Sequence, residues 1–274
     1  MKTLIVIPSR YASTRFPAKP LHLIAGRSLL HRVIDIAALA CANNPDRQFV
    51  VATDNVAIEE HAKAINAPTV MTDPKLPSGT DRALAAANMV APDADFIVNL
   101  QGDAPFTPVE YIDLLIREGE TSEQDVVTPV VQLSWADLDQ VREQKKASPF
   151  SGTSCVMRAN GEALWFSKNI IPAIRKEDDL RRETKWSPIY RHIGLYGYKR
   201  TALEAFVDLP ECEYETLEGL EQLRFLENGM RIKAVKVAPS SSAMWGIDTL
   251  QDAAHAETLI SEHGEPLKLN TENG

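Results

Sequence analysis

Neither a GxGxxG fingerprint nor a GxxxxGK(S/T) loop occurs in this 274-residue chain. The backbone amides of a glycine-rich turn are therefore not its phosphate cradle, which counts against nicotinamide-dependent dehydrogenases and P-loop kinases. Cysteine is scarce: Cys41, Cys155 and Cys212 are odd in number, widely spaced and free of any CxxC pair, the usage of reduced thiols in a cytosolic protein. No arrangement of Ser, Cys and His suggests a nucleophilic triad. No uncharged apolar run is long enough to span a bilayer, and the stretch between Met1-Lys2 and Pro8 is too short for the apolar region of a signal peptide. A soluble, cytoplasmic protein without membrane insertion is expected. Basic residues are in the minority, 29 against 38 acidic for a formal charge of -9, so most of the surface should repel nucleic acid and anionic membranes.

Against that acidic background one basic segment stands out. An apolar strand, Leu4–Ile7, runs into Pro8-Ser9-Arg10-Tyr11-Ala12-Ser13-Thr14-Arg15-Phe16-Pro17-Ala18-Lys19-Pro20. In parallel α/β sheets ligands gather at the carboxyl ends of strands, and Arg10, Arg15 and Lys19 crowded there call for a polyanion such as a nucleoside triphosphate. A solvated basic turn pinned by Pro17 and Pro20 is the competing reading.

Apolar β-branched runs alternate with amphipathic segments through the first half of the chain. Strands are expected at Leu4–Ile7, Phe49–Thr53, Thr69–Met71, Phe96–Leu100 and Val126–Val131, with helices at Leu29–Ala42, Val56–Ile65, Thr80–Val90 and Val109–Gly119. This is the rhythm of an α/β fold with a mostly parallel central sheet flanked by helices. Beyond Val131, Ser154–Met157 and Ala163–Phe166 read as an antiparallel hairpin, the core of a smaller lobe inserted over about 132–200. The charge-rich Arg175–Lys185 reads as an exposed loop or mobile flap. A strand at Ile193–Tyr198, a helix at Glu215–Glu227, a strand at Ile232–Val237 and a helix at Thr249–His263 complete one domain over 1–264, with a disordered tail over 265–274.

Asp103, in Gln101-Gly102-Asp103, falls at the carboxyl end of strand Phe96–Leu100, where a carboxylate beside a triphosphate would hold magnesium. Asp93-Ala94-Asp95 mimics a metal-binding DxD but lies at the other end of that strand, so both aspartates read as turn residues. Asp248 has two readings: it caps the last helix with Gln251, or Thr249 caps it with Asp252 and leaves Asp248 free to face a metal. Ser78 and Asp81 form a helix cap whose amino terminus can also meet a nucleotide, with Arg82 available to a base carbonyl or a phosphate. His192 alternates with apolar residues, as a core histidine or a ligand would. Glu218, Glu221 and Gln222 share a helical face by spacing, as a solvated acidic face also would.

Taken in order, these motifs resemble the 3-deoxy-manno-octulosonate (Kdo) cytidylyltransferases from about Leu4 to Asp252. The resemblance rests on Ile7–Arg15, Lys19-Pro20, Ala52-Thr53-Asp54, Ser78–Arg82, Gln101-Gly102-Asp103, Arg191–Tyr196, Leu220–Arg224 and Ile247-Asp248-Thr249. It implies a Rossmann-like nucleotidyltransferase fold whose antiparallel lobe serves sugar binding and dimerisation. The implied reaction transfers CMP from CTP to the anomeric hydroxyl of Kdo, releasing pyrophosphate, in lipopolysaccharide synthesis by a magnesium-dependent homodimer. Arg10, Ser13, Arg15 and Lys19 would hold the CTP phosphates, and Ser78 and Arg82 would position the nucleotide. Asp103 and Asp248 would bind metal, while Gln101, Lys168, His192, Tyr196, Glu221 and Gln222 would line the sugar pocket. Two magnesium ions between Asp103 and Asp248 would activate the attacking hydroxyl, and Lys19 with Arg15 would neutralise the leaving pyrophosphate, without a dedicated protein base. The chain departs from the family pattern at Ala18 (usually Gly), Ala104 (Glu), Ser154 (Lys) and Lys168 (Arg). The last two fall in the sugar-facing lobe, and loss of a guanidinium fork at 168 opens the choice of acceptor to a Kdo variant such as an amino sugar, or to another ulosonic acid. A non-catalytic nucleotide- or sugar-binding protein is the remaining alternative, against which the joint presence of both aspartates argues.

Overall fold

A computed structural model describes residues 1–11, 16–240 and 246–265. By internal contacts the chain divides into two compact units, Met1–Asp113 with Ser240–Gly274, and Leu114–Pro239.

The first unit is built on β1 (Thr3–Ser9), β4 (Arg47–Thr53), β5 (Thr69–Met71) and β6 (Phe96–Leu100), all parallel in the order β5-β4-β1-β6. Leu4, Ile5, Val6 and Ile7 of β1 and every residue of β6 are buried. This is what near-continuous apolar runs produce when a parallel sheet is covered on both faces. Around it lie α1 (Leu29–Cys41), α2 (Val56–Ala64), α3 (Gly79–Val90) and α10 (Leu250–His263), and a two-stranded ribbon of β2 (Leu23–Ile24) and β3 (Arg27–Ser28) joins the basic loop to α1. Asp93 and Asp95 sit in the turn before β6, bonded to the Lys2 ammonium and the Lys2 backbone N–H, so they are turn residues as expected. The unit boundary falls inside α4 (Val109–Thr121).

The second unit centres on β7 (Val126–Ser134). β12 (Ile232–Val237) pairs parallel to it, β10 (Trp186–His192) and β11 (Leu195–Lys199) antiparallel, and the hairpin β8 (Ser154–Met157) and β9 (Ala163–Ser167) continues from β10. Four features here differ from expectation. The strand expected at Ile193–Tyr198 is β11, starting two residues later, and it is preceded by a further strand, β10, that was not expected; the two are separated at Ile193-Gly194, where the Leu195 N–H turns back to the Ile193 carbonyl. The helix expected at Glu215–Glu227 is two, α8 (Glu213–Glu218) and α9 (Gln222–Glu227), separated by Gly219 at φ 62. A left-handed residue ends a helix, and glycine adopts that conformation without a Cβ penalty. Glu218, Glu221 and Gln222 therefore do not share a face of one helix.

Arg175–Lys185 contains α6 (Glu177–Glu183) rather than being wholly a loop. Its acids open the helix and its arginines close it, matching the helix dipole. Arg142 forks Glu177 at 2.7 Å, and Arg181 bonds both Glu177 and Asp139. The Arg181 guanidinium also lies 4.6 Å from the centre of the Trp135 ring. Finally, α5 (Trp135–Ala147) and α7 (Arg200–Val207) are helices that were not expected; the hydropathy pattern does not announce α5, whereas α7 buries Ala202, Leu203 and Phe206 at helical spacing and was legible. In α5 only Trp135 and Leu138 are buried, and the readable signal is its capping box, Ser134 with Asp137. α7 and α9 contribute Phe206 and Phe225 to an aromatic ladder that continues through Tyr198 to Tyr196.

Candidate active site

In the first unit, the end of β6 and the approach to α10 are held together by backbone. Gly102 packs against the end of β1 so closely that a Cβ there would stand 2.7 Å from the Pro8 carbonyl oxygen. Only glycine fits such an approach, and Asp103 is thereby set beside the basic loop. The Ile247 N–H donates to the Asp103 carbonyl at 2.9 Å, which brings the next residue, Asp248, alongside. The cap of α10 is also resolved. Thr249 and Asp252 form the box, and Asp252 accepts the Asp248 N–H, so the Asp248 carboxylate is released from capping.

Between these carboxylates lies Lys19. Its ammonium donates to Asp103 at 2.8 Å and to Asp248 at 3.3 Å, with the lysine side chain 14% exposed and the two acids 35% and 51%. Lys19 opens a 3-10 turn, Lys19–Leu21, and the preceding Ala18 is left-handed at φ 54. That explains why the resembled family places glycine there: an L-residue in this conformation costs about 1–2 kcal/mol. The loop is closed by the Ala18 N–H on the Tyr11 carbonyl and is anchored by buried Phe16, packed edge-on to His22. The point between the carboxylates thus accommodates a cation in this structure. Two carboxylate donors suit a magnesium ion, which takes one or two carboxylates and completes its shell from water and phosphate. Among the described residues no group of three or more His, Cys, Asp or Glu side chains is placed to hold a metal.

The other nucleotide candidates are placed differently. Arg10 donates to the Leu76 carbonyl. Ser78 caps α3, accepting from the Thr80 and Asp81 N–H groups and donating to Asp81 at 2.6 Å. Arg82 is fully buried, bonded to Asp54 at 2.7 Å and to Thr72, and burial pushes its pKa down. Among the described residues its Nε and the buried Ser9 hydroxyl have no hydrogen-bond partner, at a cost of about 1–3 kcal/mol each. Gln101 lies in this unit, its side-chain oxygen beside Gly79. Ser13 and Arg15 lie outside the described residues.

The second unit gathers Lys168, His192, Tyr196 and Glu221. His192 closes β10, and its Nε2 is 2.9 Å from the Thr128 hydroxyl. Its ring packs edge-on to Phe166 and 5.3 Å from Tyr196. Burial, reinforced by the Lys168 charge, pushes its pKa down to about 3, so the imidazole is neutral near pH 7. Burial, then Tyr198 and the Glu221 charge, holds the Tyr196 phenol well above its usual range. Gln222 is buried at the start of α9. The cluster consists of neutral hydrogen-bonding rings with charges at its margin, groups that can meet the hydroxyls of a sugar.

A family model described as cytidylyltransferase matches residues 4–232. The chain belongs to the cytidylyltransferase family. It is 41% identical over 269 residues to a 3-deoxy-manno-octulosonate cytidylyltransferase of Maricaulis maris, covering 97% of this chain and 99% of that one. It is 39% identical to the protein of the same name from Bacteroides thetaiotaomicron, covering 95% and 98%. A solved structure of CMP:2-keto-3-deoxy-manno-octonic acid synthetase complexed with CTP superimposes with a TM-score of 0.80 at 30% identity, over 96% of this chain and 99% of that one.

Residue-level reading of the family motifs leaves several participants without a role. Asp54 lies within a quoted motif, yet only the fold shows it as the partner of Arg82. Thr128 and Phe166, which hold His192, carry no local signal, since both are ordinary strand residues. Glu218 accepts from the Ser167 hydroxyl and the Lys168 N–H, each at 2.7 Å, and so fixes the backbone that presents Lys168.

Proposed function

We propose that this chain transfers CMP from CTP to the anomeric hydroxyl of Kdo or a close ulosonic acid, releasing pyrophosphate, in the cytoplasm and as a homodimer. The observation that carries the reading is the Lys19 ammonium shared between Asp103 and Asp248 at the ends of β6 and the α10 approach, in a chain of the cytidylyltransferase family.

In this reading Arg10, Ser13, Arg15 and Lys19 bind the triphosphate, with Ser78 and Arg82 shaping the nucleotide platform through the α3 cap and the Asp54 pair. The anomeric oxygen attacks the α-phosphorus, and the bond from that phosphorus to the β-phosphate bridging oxygen breaks. The hydroxyl proton goes to solvent, and the pyrophosphate leaves with its new charge met by Lys19 and Arg15. Magnesium bound by Asp103 and Asp248 would supply Lewis-acid polarisation of the attacking and phosphoryl oxygens. On the acceptor side, Lys168, His192, Tyr196, Glu221 and Gln222 of the second unit orient the sugar. Neutral His192 can donate or accept with a sugar hydroxyl without bringing a second cation beside Lys168.

The test is pyrophosphate release from CTP and magnesium, with Kdo, 8-amino-Kdo and sialic acid as parallel acceptors. Release with Kdo or 8-amino-Kdo supports the reading and names the acceptor. Release with sialic acid alone moves the acceptor outside the Kdo series, and CTP binding without release from any of the three overturns the assignment.

A further inference from the structure

Lys19 holds a position that a second cation would need. Its ammonium donates to Asp103 Oδ2 at 2.8 Å and to Asp248 Oδ1 at 3.3 Å, one hydrogen bond to each carboxylate. Magnesium sits about 2.0–2.1 Å from a carboxylate oxygen that binds it. An ion on the Asp103 oxygen that Lys19 already uses would therefore lie within about 5 Å of the ammonium, whatever the angle between them, and like charges that close repel. One cation or the other can bridge these oxygens without penalty, and the two together cannot.

The backbone on both sides of this contact is fixed. The Lys19 N–H donates to the carbonyl of buried Phe16 at 3.2 Å, and the Lys19 carbonyl accepts the His22 N–H at 3.1 Å. Asp103 and Asp248 are tied together through the Ile247 N–H on the Asp103 carbonyl, so their separation is set as well. What is able to move is the Lys19 stem, a flexible four-carbon chain that ends in a point charge. Its side chain is less exposed than either acid, so water competes weakly for the ammonium while it stays in place. A triphosphate competes better, because phosphate oxygens are charged acceptors that arrive several at a time.

We propose that Lys19 is a resident cation that keeps a divalent ion off Asp103 and Asp248 until nucleotide draws it away, so that the free protein binds the ion weakly and the ion enters with the triphosphate. The inference rests on the function proposed above and adds an order of binding to it. If the ammonium is in place about nine-tenths of the time, the apparent affinity of the free protein for the ion is reduced about tenfold, since only the remaining fraction is competent to bind. The competing account is a structural ion pair that tolerates a divalent ion beside it.

The experiment measures manganese(II), a paramagnetic stand-in for magnesium, bound to the protein without nucleotide, from the spin resonance of the free aqueous ion. It compares wild type, Lys19→Met, Lys19→Gln, Lys19→Arg and the double variant Lys19→Met with Asp103→Asn, each with its thermal midpoint. The two neutral variants are expected to bind the ion about tenfold or more tightly than wild type, and Lys19→Arg, which keeps a cation in place, to stay near it. Equal binding by wild type and the neutral variants overturns the proposal and leaves the metal site standing. If the double variant keeps the tightened binding, the ion lies elsewhere, and the metal reading falls with this inference. A second measurement uses the unaltered protein, which covers variants that do not fold and separates displacement from repulsion at a distance. As magnesium saturates the site, the nitrogen-15 resonance of the Lys19 ammonium should move together with the carboxylate carbon of Asp103. A response at Asp103 with an unmoved ammonium would place both cations side by side, and the proposal fails.

Discussion

The two candidate sites are made by opposite means. In the first unit, Asp103, Asp248 and Lys19 stand at strand and helix ends, the two acids partly exposed, and the lysine pairs directly with both. In the second, His192 and Tyr196 are set on strands among aromatic rings, and burial governs their protonation. Loop ends suit a ligand that brings its own charge and a metal, since exposed groups can exchange a lysine for a cation with little reorganisation. Strand faces suit a sugar, whose hydroxyls must be told apart by fixed donors and acceptors in a drier setting.

The largest effect should come from breaking the first site. Asp103→Asn or Asp248→Asn keeps shape and removes the charge that holds a cation, so turnover is expected to fall by at least about 100-fold with an unchanged thermal midpoint. Near-wild-type pyrophosphate release in either variant would take that residue out of the metal site. The second site is tested by pH. The folded pKa of His192, about 3, lies below its unfolded value. The unfolded chain therefore binds the extra proton, and stability present at neutral pH is lost as pH falls from about 6.5 toward the folded value. Ring nitrogen resonances should report neutral imidazole down to about pH 5, and a midpoint near 6 would show that the ring is not shielded as described. The smallest effect concerns the loop that carries Lys19. Ala18→Gly relieves the left-handed strain but frees the unfolded chain, for a net gain of about 0.5 kcal/mol read from denaturant midpoints. A loss of stability would mean that Ala18 is not strained.

The same contrast decides what was readable beforehand. The parallel unit advertises itself, because buried strands and amphipathic helices carry strong, distinct periodicities, and its helices begin within about a residue of expectation. The second unit is harder. α5 exposes most of its surface, α6 resembles a solvated charge run, and Gly219 cuts an otherwise helical stretch. Among site residues, the capping roles of Ser78 and Thr249 were available as local patterns, although only the hydrogen bonds chose between Asp248 and Thr249. The buried pairing of Arg82 with Asp54 was not readable, since its partner is 28 residues away.

By itself the sequence determined the order of strands and helices in the parallel unit and the placement of basic and acidic residues at strand ends. Those are short-range matters, set by side-chain periodicity, backbone sterics and local capping. Tertiary structure alone decided that Lys19 meets carboxylates 84 and 229 residues distant. It decided as well that burial keeps His192 neutral, and that the Lys145 ammonium reaches the Lys168 carbonyl. Each of these depends on distance and burial between segments remote in the chain, and charge interactions take their strength from that geometry.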